Sequence, residues 1–347
     1  MAARLFIKIS RVFHIDLPLA ALFEAPTIEQ LADLLRNRKA EHKTLIPIQP
    51  FGTQSPFFCV HGGAGATLFL YPLASHLGNE RPFYGIEPEG MDGKRVNFTK
   101  IEDMAAHYIS EIKRMQPAGP YYIGGYCFGG LVAFEMARQL VNAGEDVALT
   151  ALFNAPLRFN RPVSASTATL FLKTVSRSWH AKLRFEKSII YPFRALKQAL
   201  WWRTVKRARM FRVNCELQAS RLFVALGLLV PPALRRTYVM TILGSAERAY
   251  TPQTYSKSIS LFRGKGLYDE DPELGWSGLA HLKNFEIGEK RHRTRRDMMS
   301  EPTVRMLARQ LKICLERAAE SQHALDVTLT DEDRNLASST GMTVASA

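Results

Sequence analysis

Tyr121-Tyr122-Ile123-Gly124-Gly125-Tyr126-Cys127-Phe128-Gly129-Gly130 decides how this 347-residue chain is read. An apolar run enters the stretch and a helical run, Leu131 to Leu140, leaves it. Gly125-Tyr126-Cys127-Phe128-Gly129 is the G-x-S-x-G nucleophile elbow with cysteine in place of serine. A strand that reverses into a helix within a few residues holds its nucleophile on a sharp, strained turn. Side chains at Gly125 and Gly129 would collide with the neighbouring backbone there. The helix N-terminus then points its positive end at Cys127, which favours a thiolate and an oxyanion. A buried cysteine in a glycine-rich turn is the plainer alternative. It leaves the strand before and the helix after unexplained.

Bulk composition narrows the class. A hydrophobic content of 46% is ample for a sizeable core, and 347 residues allow two domains or one large α/β domain with appendages. There is no run of about eighteen uncharged apolar residues, so no membrane span is expected. Met1 to Ile9 lacks the long apolar region and cleavage site of a signal peptide. The four cysteines, at 59, 127, 215 and 314, show neither metal nor disulfide spacing, and a reducing, cytoplasmic setting fits a catalytic thiol. Net charge is +14, but residues 173–212 hold twelve Lys and Arg against one acid, Glu186. Charge confined to one segment, without a recognisable binding motif, does not point to nucleic acid.

Along the chain, helical and extended patterns alternate. Thr27 with Gln30 forms a capping box for a helix from Ile28 to Arg36. Strands are expected at Leu45–Ile48, Phe57–Val60, Phe83–Ile86, Val147–Phe153, Ile259–Phe262 and Asn284–Ile287. Helices are expected at Tyr71–Leu77, Ile101–Met115 and Thr303–Ala319. The order is that of a mostly parallel sheet covered by helices on both faces. His61-Gly62-Gly63-Ala64-Gly65 follows a strand and lacks the spacing of a phosphate loop. It reads as the loop that supplies the second oxyanion donor, the Gly63 amide beside that of Phe128, with His61 as a structural histidine beneath it.

These pieces resemble the thioesterase domain of nonribosomal peptide and polyketide synthetases, an α/β-hydrolase. The matching stretches are 56–65, 81–93, 101–130 (with Gln116-Pro117-Ala118-Gly119-Pro120-Tyr121), 131–156, 250–276 and 301–311. Residues 1–40 resemble the second half of an acyl or peptidyl carrier domain. The carrying runs are Met1-Ala2-Ala3-Arg4-Leu5, Phe13-His14-Ile15-Asp16-Leu17-Pro18 and Leu22-Phe23-Glu24-Ala25-Pro26-Thr27-Ile28. In that family the serine that carries phosphopantetheine precedes the first of these helices, and here it is missing. The resemblance therefore implies a carrier remnant at 1–40 and a fragment of a longer synthetase. The thioesterase domain then covers 45–322, and a helical lid insertion lies at about 157–249.

The expected order of the triad is nucleophile, acid, histidine. Cys127 takes the first place. The family's acid lies in a Leu-Asp-x-Pro-like context. The corresponding stretch is Leu152-Phe153-Asn154-Ala155-Pro156, so Asn154 replaces it. Asp to Asn in a serine triad costs about 10⁴ in kcat, but Cys-His-Asn is a working arrangement. Asp269 and Asp271, with Glu270 between them, are alternative acids and otherwise exposed loop residues. His292 is the expected base, placed in the loop after the last strand, whereas His281 lies too early. Arg291, Arg293, Arg295 and Arg296 could favour the Cys127 thiolate or bind a phosphopantetheine phosphate.

The insertion contains Trp179, Phe185, Phe193, Trp201 and Trp202 and the basic block. As a lid, its apolar residues would line an acyl chain and its charge would attract an acidic carrier domain. A solvated helix face and a peripheral contact with anionic membrane are the alternatives. Residues 325–347 read as a disordered tail. The expected function is release of an acyl or peptidyl chain from a carrier-bound phosphopantetheine thioester. It would proceed through a Cys127 acyl-enzyme, by hydrolysis or cyclisation. No metal is expected, and no cofactor beyond the phosphopantetheine that presents the substrate. The alternatives are an acyltransferase to an external acceptor and a decayed site that only binds a carrier or acyl chain. Carrier protein or upstream synthetase modules are the expected partners.

Overall fold

The computed structural model describes residues 9, 25–37, 44–157, 208, 210–292 and 294–339. Seven strands form one sheet: β1 (Leu45–Gln49), β2 (Phe57–Val60), β3 (Phe83–Ile86), β4 (Tyr121–Tyr126), β5 (Val147–Phe153), β6 (Ser258–Gly264) and β7 (His281–Ile287). Their order is β1-β3-β2-β4-β5-β6-β7. Only β1, on the edge, runs antiparallel to its neighbour; the other five pairings are parallel.

Central parallel strands are covered on both faces, so they read as unbroken apolar runs. Every residue of β2 and of β4 is buried. Successive side chains go to opposite layers. Phe58 and Val60 join the core under the helices α1 (Ile101–Met115) and α2 (Phe128–Asn142), while Phe57 and Cys59 join the second core. That second core is closed by α3 (Tyr71–Leu77) and the last helix, α4 (Thr303–Ser339). In α1, Ile101, Met104, Ala105, Tyr108 and Ile112 are buried on one face, with Glu102 and Asp103 in the first turn and Lys113 and Arg114 in the last. Those charges complement the helix dipole.

Most strands and helices fall where the periodicity puts them. The capping box is present: the Thr27 N–H donates to Gln30 Oε1 and the Gln30 N–H to Thr27 Oγ1, both at 3.2 Å. Several other boundaries shift by one or two residues, and three differences are larger or bear on the site. His281 opens β7 rather than preceding it. α2 starts at Phe128, directly after Cys127. The tail reading is corrected over 325–339, where α4 continues to Ser339. Val304, Leu307, Ala308, Leu311 and Leu315 anchor its first turns in the core. Each further residue then adds one hydrogen bond to an existing helix, so polar composition does not stop it.

Of the insertion, residues 210–225 and Pro232–Ala249 are helical. Its second helix is tied to the loop after β3, through the Val230 N–H on Gly93 O and the Val96 N–H on Tyr238 Oη. The aromatic residues at 179, 185, 193, 201 and 202, most of the basic block, Arg293 and the proposed carrier segment before Ala25 lie outside the described residues. Among the described residues no helix is long and apolar enough to cross a membrane.

Candidate active site

The C-terminal ends of β2, β4, β5, β6 and β7 deliver Gly63, Cys127, Asn154, Gly264 and His292 to one edge of the sheet. In open α/β sheets this edge is where ligands bind.

Cys127 has φ 54° and ψ −114°, a conformation that L residues rarely adopt. Its N–H donates to Phe153 O at 2.8 Å and its carbonyl accepts the Gly130 N–H at 3.1 Å, so the turn is held from both sides. A Cβ on Gly125 would lie 2.0 Å from Gly129 O, and one on Gly129 would lie 2.1 Å from His61 O. The two glycines of the motif are therefore a packing requirement. The strain persists because strand and helix over-determine it.

Phe128 is the first residue of α2, and its N–H has no partner within the helix. Gly63 passes alongside, and a Cβ there would be 3.9 Å from Phe128 Cβ. The loop that carries Gly63 is pinned underneath. His61 is fully buried, with Nδ1 2.7 Å from Gly62 O and Nε2 3.1 Å from Tyr108 Oη. A carbonyl only accepts, so Nδ1 carries the hydrogen, and in the neutral ring Nε2 accepts from Tyr108. At the end of the loop, Thr67 donates its N–H and its hydroxyl to Glu87 Oε1.

The residue against the Cys127 sulphur is Arg295. Its Nη1 donates to Cys127 Sγ at 2.9 Å. Burial works against the guanidinium's charge, but Cys127 and Tyr268 outweigh it and hold the group above its ordinary range. Arg295 opens a short 3₁₀ turn, Arg295–Met299, which is capped by Thr294 and Asp297. Of the described arginines in this stretch, 291, 295 and 296, Arg295 is the one that bonds to the sulphur.

Asn154 is fully buried at φ 45°. Its Oδ1 accepts the Gly264 N–H at 2.8 Å, and its Nδ2 donates to the backbone carbonyl of Arg295 at 3.2 Å. The second contact explains asparagine where an acid was expected. A carbonyl needs a donor, and an ionised aspartate has none.

His292 is 7% exposed, and its N–H donates to Lys265 O at 2.8 Å. Its ring lies against two glycines. A Cβ on Gly264 would be 2.3 Å from Nδ1, and one on Gly288 would be 2.5 Å from Nε2. Neither ring nitrogen has a hydrogen-bond partner among the described residues. Burial lowers its pKa below the ordinary histidine value, against an opposing pull from Asp297. The structure thus brings Cys127 and Asn154 together through Arg295. It makes no hydrogen bond from His292 to either.

Asp269 is exposed and pairs with Arg291 at 3.0 Å, while the Asp271 N–H donates to Tyr268 O; neither carboxylate bonds to His292. Sequence reasoning missed the Thr67–Glu87 pin and the buried Tyr126 hydroxyl, which has no partner among the described residues. The Thr294-x-x-Asp297 capping box was the available signal for the turn that aims Arg295. No group of three or more metal-ligating side chains occurs among the described residues.

Residues 55–171 match the thioesterase domain family. Malpinin synthetase of Mortierella alpina is 39% identical over 160 residues, which is 45% of this chain and 2% of that protein. Indigoidine synthase of Dickeya dadantii (strain 3937) is 43% identical over 148 residues, 42% of this chain and 10% of that protein. The chain thus spans a small fraction of these curated relatives. A crystal structure of a four-domain nonribosomal peptide synthetase superimposes with a TM-score of 0.57 at 25% identity, over 89% of this chain and 23% of that one. The NocB thioesterase domain, in a covalent complex, does so at 0.51 and 19% identity, over 76% of this chain and 96% of that one. The fold is that of the α/β-hydrolases.

Proposed function

We propose that this chain takes an acyl or peptidyl group from a carrier-bound phosphopantetheine thioester onto Cys127 and then releases it. The observation that carries the reading is the strained Cys127 at the start of α2, with Phe128 directly after it and Gly63 alongside Phe128. Sγ attacks the thioester carbonyl carbon. The carbonyl oxygen takes the charge and is received by the amides of Gly63 and Phe128. Collapse breaks the bond to the pantetheine sulphur, which leaves as the thiolate in place of the attacking Cys127 thiolate. Hydrolysis, or attack by a group within the chain, would then free the product. The substrate arm is phosphopantetheine, and an acyl or peptidyl carrier or upstream synthetase modules would present it. Similarity to synthetase thioesterase sequences supports this choice of substrate class.

A second reading, transfer to an external acceptor, is favoured by one observation: a guanidinium and not an imidazole lies against the sulphur. Both readings require a covalent step. Intact-mass measurement after incubation with acyl-pantetheine thioesters should show an acyl adduct on the wild-type chain and none on Cys127→Ala. Absence of an adduct across chain lengths, with the thioester still bound, would reduce the site to a binding module.

A further inference from the structure

We infer that Arg295 is a catalytic residue that supplies the counter-charge for the Cys127 sulphur, and that this site passes acyl groups between thiols in preference to water. The inference rests on the acyl-enzyme reading above. Three observations carry it. Arg295 Nη1 donates to Sγ at 2.9 Å. Asn154, the position where a triad acid was expected, spends its donor on the Arg295 backbone and its acceptor on the Gly264 N–H. His292, where the base was expected, is buried with both nitrogens unpartnered among the described residues.

The chemistry follows from what a guanidinium can do. It has five donors, no acceptor, and does not give up its proton in proteins. It can stabilise an anion, but it cannot remove a proton from water. Exchange between thioesters needs no proton removed by the enzyme once the attacking sulphur is ionised. Sγ⁻ bonds to the carbonyl carbon, the carbon–sulphur bond to pantetheine breaks, and pantetheine leaves as the thiolate. The reverse step, with a second thiolate attacking the acyl-Cys127 carbon and Sγ⁻ leaving, is balanced in the same way. In both directions the charge begins and ends on sulphur and passes through the oxyanion that the two amides would receive, and Arg295 is placed to stabilise it whenever it rests on Sγ. Water is a poorer acceptor here because it must give up a proton as it attacks, and the guanidinium against the sulphur has no lone pair to accept it. The titratable groups that interact with the pair are Tyr126 at the end of β4 and Tyr268 in the loop after β6, and Arg296 acts in turn on Tyr126. Asp297 lies in the same turn, committed to the Thr294 cap.

Two measurements on the full chain test this. The first needs no acyl substrate: iodoacetamide labelling of Cys127, followed at the peptide that contains it, in wild type, Arg295→Gln and Arg295→Lys. A cation bonded to the sulphur favours attack through its anion, so Arg295→Gln should label about tenfold more slowly than wild type. Arg295→Lys should recover part of the rate. Asn154 bonds to the backbone carbonyl of residue 295, so both variants keep that tether, and thermal unfolding reports whether they fold. Labelling of a folded Arg295→Gln at the wild-type rate overturns the Arg295 role. The second measurement follows decay of the wild-type acyl adduct in buffer and with added pantetheine. Decay at least tenfold faster with the thiol is expected; equal decay in buffer alone overturns the preference for thiols. Arg295-dependent labelling without any adduct would sink the acyl-enzyme reading and leave the Arg295 role standing.

Discussion

One oxygen of Glu87 accepts both the N–H and the hydroxyl of Thr67, at 2.8 and 2.9 Å, in a site where Glu87 is 4% exposed. The two residues brace the loop that carries Gly63 against the end of β3. Glu87→Ala removes a charged acceptor from two buried donors, and hydrogen bonds to charged groups contribute about 1.5–3 kcal/mol each. Stability should fall by roughly that amount. The rate of adduct formation should drop about tenfold or more, because small misplacements of an oxyanion donor are costly. Glu87→Gln, which keeps an acceptor, should retain most of both. Thermal unfolding and adduct kinetics would check this; a loop indifferent to Glu87→Ala would refute the brace.

Restoring the missing acid should not restore a triad. In Asn154→Asp the carboxylate still accepts the Gly264 N–H but meets the Arg295 carbonyl oxygen with a lone pair in place of a donor. An unpaired buried acceptor costs about 1–3 kcal/mol. The expected result is a lower Tm and no gain in thioester turnover. A clear gain would mean that the acid engages His292 after all.

His292 and Gly264 are coupled by contact, since a Cβ at 264 would fall 2.3 Å from Nδ1. Gly264→Ala should destabilise by about 1–3 kcal/mol through overpacking. Combined with His292→Ala, much of that cost should vanish, because the ring that clashes is gone. A double-mutant cycle on Tm measures the coupling, and strict additivity would exclude the packing account.

Acid should weaken the fold through His292. Its pKa in the folded chain lies below the ordinary 6.5, mainly because of burial. The unfolded chain therefore binds a proton in that window that the folded chain refuses. The contribution is fully present above about pH 6.5 and is lost as the pH falls below it. His292→Leu should flatten that part of the stability profile. It should also raise stability at neutral pH by about 1 kcal/mol, since it removes two buried nitrogens without partners. Denaturant titrations between pH 5 and 8 would show it, and an unchanged slope would assign the acid sensitivity elsewhere.

Much of the architecture was legible because it is local. β2, β3 and β5 and the helices α1 and α3 fall on the residues that their apolar periods mark. The end of α4 was not, because helix propagation from a packed anchor is invisible to composition. Asn154 directly follows β5, where the sequence pattern put the acid position, but the contact its amide makes was hidden. That contact is with a carbonyl 141 positions away.

The sequence alone determined the elbow. Gly125, Cys127 and Gly129 lie within five residues, and the strand, the turn and the helix start follow from their order and from steric exclusion. The tertiary structure decided what meets the sulphur. Four arginines and a histidine lie between 291 and 296, and the sequence could not choose among them. The choice came from a capped turn at Thr294–Asp297, from two glycines that seat His292, and from the packing that brings residue 295 to residue 127. Contacts over such separations depend on where whole elements come to rest, and spacing along the chain does not encode them.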